Sequence, residues 1–349
     1  MIPVLEAVPN VSSGRDPRLL ERMVEAAAGT GVDVVDVTSD PDHDRSVLTI
    51  LGGPEAVVEA CLRLGEEAAR SIDLGKQDGV HPRVGALDVV PFVPLQGLSM
   101  ARAVVLSRDF ALRMVEELGI PVFLYAESSV PPGRGLAEIR GHGGFEGLRD
   151  APDAARGVPL PDFPAGSGRV HPTAGATCVG ARPLLLAWNV DVSGLEMTTL
   201  RSVARRLRER DGGLEGLRTL ALELPRQGRR QISMNLEDVR NRDPFAAFRA
   251  IEEMVEEKGG RIEGTEIIGL RPDELLLAAG AERLSLLDPD PSPMVSSRLA
   301  EHVSRRCRHL ASKLRDMASR CEAPLDEPYH RLLDLADELD PSPPSDEPE

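Results

Sequence analysis

Read for hydrophobic periodicity, the chain runs strand, helix, strand, strand, helix, strand, and then repeats that order. The first run places strands over residues 4–8, 32–37, 46–51 and 86–93, with helices over about 17–28 and 54–72. Asp16-Pro17 and Gly53-Pro54 mark the helix starts, since proline at a first helical position gives up no hydrogen bond. A helix over 99–118 and a strand over 121–125 extend this run. The second run places strands over 184–190, 217–223, 230–235 and 261–268, with helices over 196–208 and 244–257 and a closing helix from about 272. No obvious sequence repetition accompanies the repeated order.

The pattern is that of a split βαβ unit, so the fold class is α/β (α+β), two tandem ferredoxin-like βαββαβ subdomains. A crevice between two such units is a natural ligand site. The glycine- and proline-rich stretch 126–176 joins them, with a short helix near 136–140, and a long loop of that kind is often functional. Beyond them, Ala300, Val303, Cys307, Leu310, Leu314, Met317 and Cys321 alternate in spacing by three and four, an apolar helical seam. A second amphipathic helix is expected over 329–339.

Bulk properties narrow the partners. A net charge of −16 over 349 residues argues against a nucleic-acid binder and requires any anionic ligand to find a local basic pocket. No apolar run approaches the roughly 20 residues that span a bilayer, and no signal peptide is evident, so no membrane partner is expected. The four cysteines, Cys61, Cys178, Cys307 and Cys321, are scattered without a CxxC pair, as for reduced thiols in a cytoplasmic protein.

The densest cluster of special residues is Gly79-Val80-His81-Pro82-Arg83-Val84-Gly85-Ala86-Leu87-Asp88. If this segment is extended, His81 and Arg83 share one face, which sets a group titrating near neutrality beside a permanent cation. A purely structural histidine is the competing reading. Asn10, Ser12 and Gly14, at a strand end before a helix, form either an anion site or an ordinary capped turn. The loop Ser39-Asp40-Pro41-Asp42-His43-Asp44 lacks the glycine and glutamate of a calcium loop, and no metal is expected; Arg45 is read as facing the crevice. Arg169 and His171 either wrap an anion or belong to a linker, and Arg182 either holds a carboxylate or pairs with a nearby acid. P-loop, GxGxxG, GxSxG and HExxH motifs are absent.

Taken together, Glu6-Ala7-Val8-Pro9-Asn10-Val11-Ser12-Ser13-Gly14-Arg15, His43-Asp44-Arg45-Ser46-Val47, His81 through Phe92, Pro121 through Tyr125, and Pro161-Asp162-Phe163 through Arg182 resemble the formiminotransferase family. The resemblance covers about residues 1–285, divided into subdomains 1–178 and 179–285, ahead of a helical tail (286–339) and a disordered acidic end (340–349). It implies transfer of a formimino group from N-formimino-L-glutamate to N5 of tetrahydrofolate, the co-substrate, in histidine breakdown. It implies a folate tunnel between the subdomains, a cytoplasmic homodimer, and His81 as the catalytic residue. It places the family's folate-contacting loop on about residues 162–175; substrate or folate contacts are expected from Asn10, Ser12, Arg45, Arg83, Asp88, Tyr125, Asp162, Phe163, Ser167, Arg169, His171, Pro172, Gly175 and Arg182, with the arginine roles following from the charge of the substrates. Thr38 stands where the family has an acid, which leaves Asp36 or Asp40 to orient His81. No cyclodeaminase half is expected after the helical tail begins, which implies a separate cyclodeaminase or a different fate for the product. The alternatives are formyl transfer between 5-formyltetrahydrofolate and glutamate, or a non-catalytic folate-binding scaffold.

Overall fold

Proline organises the first sheet. Pro9 splits the opening strand into β1 (Leu5–Ala7) and β2 (Asn10–Val11). Both pair antiparallel with β4 (Arg45–Gly52) on one side and β5 (Leu87–Pro94) on the other. Pro91, in the middle of β5, falls opposite the break, where its missing N–H leaves no ladder bond unmade. Val8 and Leu48 instead donate to the Pro91 and Pro9 carbonyls. β3 (Asp33–Asp40) closes the edge by pairing antiparallel with β4. The computed structural model describes residues 3–95, 97–150, 157–164, 169–239, 242–270, 295–320 and 330–333.

Two helices connect these strands, α1 (Pro17–Ala28) and α2 (Pro54–Ser71). The Asp16 carboxylate accepts the Arg18 and Leu19 N–H groups, so the start of α1 is already capped. α2 buries Val57, Ala60, Cys61, Leu64 and Ala68 in one core with Leu48, Ile50, Val90 and Phe92 of the sheet.

Beyond β5 the sheet continues in parallel. α3 (Met100–Leu118) leads to β6 (Val122–Leu124), and β7 (Thr177–Ala181) inserts between β5 and β6. β7 is unforeseen from sequence: it is short and carries a glycine. Gly180 is required there, because a Cβ would lie 2.5 Å from the Tyr125 carbonyl oxygen. The boundary expected after Cys178 therefore falls inside β7, and the first sheet runs on to Ala181. Over this half the face away from the helices is covered by α4 (Leu136–Arg140) and α5 (Gly144–Asp150), whose Ile139 and Leu148 join Val89, Phe123, Tyr125 and Cys178.

The second sheet has β8 (Leu186–Ser193), β9 (Leu217–Leu224), β10 (Arg229–Leu236) and β11 (Arg261–Ile268) in the antiparallel order β11-β8-β10-β9. α6 (Met197–Leu207) and α7 (Pro244–Glu256) pack on one face, where Trp188 stacks on Phe248 at 5.6 Å. This is the expected βαββαβ unit.

Contacts at two places help join the subdomains. At the β9–β10 turn, Arg226 N–H donates to Asp42 Oδ1 (3.1 Å), its guanidinium to the Pro41 carbonyl (2.9 Å), and Gln227 to Asp40 Oδ2 (3.2 Å). After β11, Leu270 clusters with Val35 and Leu51.

The C-terminal unit begins at Ser296 and holds nearly all of α8 (Val295–Ser319). Its buried positions are His302, Ala311 and Ala318, while Met317, placed on the apolar seam from sequence, is 55% exposed. Cys321, the closing helix from 272, most of the 329–339 helix and the 340–349 end lie outside the described residues. Among the described residues no helix is long and apolar enough to cross a membrane.

Candidate active site

The break at Pro9 and a register shift in β5 create the site together. Asn10 pairs with Val89 and Val11 with Leu87, so Asp88 falls on the irregularity, the kind of place where a side chain is re-aimed out of the ladder. Asp88 is fully buried and accepts four hydrogen bonds. Its Oδ1 receives the Val84 N–H at 2.7 Å and the Gly85 N–H at 3.2 Å. Its Oδ2 receives Arg45 at 2.7 Å and Arg140 of α4 at 2.5 Å. Burial alone would raise this carboxyl, but Arg140, Arg45 and the Val84 N–H outweigh it and hold the group far below the usual carboxylate range.

Arg45 is anchored at its other edge by Asn10 Oδ1, at 3.0 and 2.8 Å. Asn10 in turn donates to the Val8 carbonyl across the strand break. Asn10, Arg45 and Asp88 are thus one network, and Arg140 is its fourth member. Arg140 lies 52 residues from Asp88 on a short helix, and no sequence spacing marks that link.

His81 stands beside this network on an irregular loop. Val80 donates to the Asp42 carbonyl (3.1 Å) and Gln77 to the Asp44 carbonyl (2.8 Å), which fastens the loop to the β3–β4 connection. Gly79 allows the approach, since a Cβ there would lie 2.3 Å from the His43 carbonyl oxygen. Half-buried, His81 sets its Nδ1 2.8 Å from the Pro82 carbonyl oxygen. A carbonyl only accepts, so Nδ1 carries the proton and Nε2 keeps its lone pair. Burial, then Arg45 and Arg140, push the imidazole well below its ordinary titration range, with Asp88 opposing. Two cations against one anion leave the surroundings net positive. The result is a neutral imidazole with an open Nε2, able to accept a proton at neutral pH.

Among the described residues no carboxylate bonds the His81 ring. Thr38 donates to Asp36 (3.0 Å), and Asp40 receives the Asp42 and His43 N–H groups (both 2.8 Å), so neither substitutes for the family's acid. The Pro82 carbonyl performs that task.

Several expected contacts resolve differently. Bends at Val80, His81 and Val84 break the extended alternation, and the strand begins only at Leu87. Arg83 therefore turns to the Leu74 and Gln77 carbonyls and to Glu146 (2.8 Å), clasping α5 to the loop instead of sharing a face with His81. Ser12 donates to the Gly85 carbonyl at 2.7 Å and braces the same loop. The anion at the Ser12–Gly14 strand end is the protein's own, for Gly14 N–H donates to Asp44 Oδ1 at 2.8 Å.

The expected folate loop is largely bound up in the fold. Asp162 receives the Leu124 N–H (2.7 Å) and pairs with Arg134. Phe163 packs against the first core. His171 Nδ1 accepts the Ala174 N–H at 3.0 Å and closes the turn from His171 to Gly175, on which Pro172 is exposed. Arg169 is exposed, and Ser167 lies outside the described residues. Tyr125 is buried, which pushes its hydroxyl up to about 12, and it bonds Arg182 at the β7 end of the sheet. Among the described residues no group of three metal-binding side chains occurs.

Comparison with known proteins agrees with this architecture. Residues 4–182 match the N-terminal subdomain of the formiminotransferase domain, and residues 187–284 match the formiminotransferase domain that follows it. A glutamate formimidoyltransferase of Thermoplasma acidophilum is 38% identical over 287 residues, which cover 81% of this chain and 93% of that protein. One from Streptococcus pyogenes serotype M1 is 34% identical over 295 residues, 83% of this chain and 96% of that protein. The formimidoyltransferase-cyclodeaminase of Mus musculus is 33% identical over 302 residues, but the match spans only 55% of that longer protein. With both subdomains matched in sequence and both βαββαβ units present in the fold, the chain belongs to the formiminotransferase family.

Proposed function

We propose that this protein transfers the formimino group of N-formimino-L-glutamate to N5 of tetrahydrofolate, with His81 as the group that moves the proton. Family membership supports the reaction, and the observation that carries the role of His81 is its neutral imidazole with Nε2 left open. The substrate formimino group is an amidinium, H₂N–CH=NH–R with one positive charge, where R is the glutamate carbon skeleton. N5 attacks the central carbon and forms a C–N bond, giving a tetrahedral centre with the positive charge and a proton on N5. His81 Nε2 removes that proton and returns it to the glutamate nitrogen. The bond from carbon to that nitrogen then breaks, the electron pair leaves with L-glutamate, and the amidinium re-forms on N5. One imidazole thus serves as base and then as acid, and no net proton remains on it.

The Asp88 network supports this role by keeping Arg45 and Arg140 fixed near the ring. A cationic site also disfavours an imidazolium at rest, so His81 is ready as a base before substrate arrives. Arg169 and Arg182 are the cations proposed for the carboxylates of glutamate and of the folate tail. The same reading carries a cytoplasmic homodimer.

The test is a tetrahydrofolate-dependent turnover assay with N-formimino-L-glutamate. Formation of 5-formiminotetrahydrofolate together with L-glutamate is expected. Binding of the folate without turnover of the formimino donor or of 5-formyltetrahydrofolate would establish the non-catalytic scaffold instead.

A further inference from the structure

Arg45 and Arg140 share Asp88 but differ in what they have left to offer. Arg45 uses every guanidinium nitrogen: Nε and Nη2 donate to Asn10 Oδ1 at 3.0 and 2.8 Å, and Nη1 donates to Asp88 Oδ2 at 2.7 Å. Arg140 gives Asp88 only its Nη2, at 2.5 Å. Its Nε is enclosed, whereas its Nη1 stays open and has no partner among the described residues. The Arg140 side chain keeps 15% of its surface accessible, against 10% for Arg45 and none for Asp88.

The fold fixes this guanidinium before any substrate arrives. Arg140 ends α4, whose Ile139 is fully buried among Val89, Phe123 and Cys178. Asp88 then holds the head of the side chain. The charged and titratable groups that act on the His81 ring are Arg45, Arg140, Asp88 and His43. Two cations on one carboxylate leave a positive charge uncompensated in a mostly buried place, which favours an anion from outside.

The donor's reacting group is itself cationic, so a net positive site repels it unless the donor brings an anion close to that group. The α-carboxylate of N-formimino-L-glutamate is such an anion, because it shares a carbon with the reacting nitrogen. His81 returns a proton to that nitrogen and must come within about 3 Å of it. The cation that holds the α-carboxylate therefore stands next to His81. Arg45 has no nitrogen left to give, and Arg140 has one. We propose that Arg140 Nη1 binds the α-carboxylate of N-formimino-L-glutamate and so fixes the reacting carbon against His81, which makes the site selective for amidines built on α-amino acids. The proposal rests on the formimino-transfer reading. It leaves Arg169 and Arg182 for the donor's γ-carboxylate and the folate tail.

The test compares two donors to tetrahydrofolate, N-formimino-L-glutamate and N-formimino-4-aminobutanoate, which is the same molecule without the α-carboxylate. Both are assayed with the full chain, Arg140→Met and Arg140→Lys, at a pH above the acid limb of each. The readout is the preference between donors, since a change in His81 acts on both alike. The unaltered protein is expected to prefer formiminoglutamate in kcat/KM by roughly tenfold to a hundredfold, the worth of a hydrogen bond to a charged group. Arg140→Met should lose that preference with the KM for tetrahydrofolate unchanged, and Arg140→Lys should recover part of it. Isothermal titration of L-glutamate and 4-aminobutanoate gives a readout without chemistry, with weaker binding to Arg140→Met for L-glutamate alone. A preference that survives intact in Arg140→Met would overturn the proposal, as would equal kcat/KM for the two donors in the unaltered protein, a result that needs no substitution. Absence of transfer from either donor in the unaltered protein is a different result, which removes the reaction itself.

Discussion

The two subdomains share one topology and differ in where the chain leaves it. In the second, β8 runs unbroken through eight residues and pairs with both neighbours, the one register shift against it lying on β11 between Ile262 and Gly264. In the first, the corresponding strand breaks at Pro9, and β5 shifts register against it at Asp88. That irregularity gathers Asn10, Arg45, Asp88 and Arg140, and two adjoining loops bring His81 and His43. The second subdomain contributes a turn that steadies the β3–β4 connection through Arg226 and Gln227. The more regular copy is a strut, and the interrupted copy carries His81 and Asp88, both held below their ordinary titration ranges. The lesson is that a ferredoxin-like sheet supplies rigidity, while the chemistry comes from its defects.

Substitutions in the interrupted copy should separate activity from stability. The largest expected effect is His81→Ala, which should lower turnover by roughly 10²–10⁴-fold. Its thermal unfolding should be close to that of the parent, because the side chain's one hydrogen bond is to its neighbouring carbonyl. Steady-state kinetics beside a melting curve check both halves of that statement.

Asp88→Asn should strike both properties. It removes the anion that two buried or near-buried guanidinium groups share, and breaking such a pair costs about 3 kcal/mol or more. Denaturant unfolding should show that loss, with reduced turnover. Full stability in Asp88→Asn would mean that the network is not what holds Arg45 and Arg140 in place. At the strut, Arg226→Ala removes one exposed hydrogen bond to Pro41 and keeps the backbone bond to Asp42. A change of no more than about 1 kcal/mol in stability is expected there, with turnover near the parent value.

The sequence made the regular features legible and the irregular ones only in part. Both βαββαβ orders could be read because their periodicity and their Asp-Pro and Gly-Pro helix starts are local signals. β7 was not readable, because five residues with a glycine in the middle of a glycine-rich region carry no period. His81 stood out through its neighbours Gly79 and Pro82. The assumption of extended backbone misplaced Arg83, since nothing local reveals that the chain bends at Val80 and His81 before the strand starts. Arg140 and His43 join the site through tertiary contacts alone. Thr38 looked like a missing orienting acid, yet the Pro82 carbonyl, a backbone group that no side-chain pattern encodes, already supplies the partner.

The central claim is that His81 works as a neutral base because Arg45 and Arg140 stand beside it. The pH dependence of kcat/KM reports the ionisation of the free enzyme. For the unaltered protein, the acid limb assigned to His81, absent in His81→Ala, should lie well below the ordinary imidazole value of 6.5. In Arg140→Met the loss of a cation eases formation of the imidazolium, so that limb should move to higher pH. An acid limb at or above 6.5 in the unaltered protein, unmoved by Arg140→Met, would contradict the account.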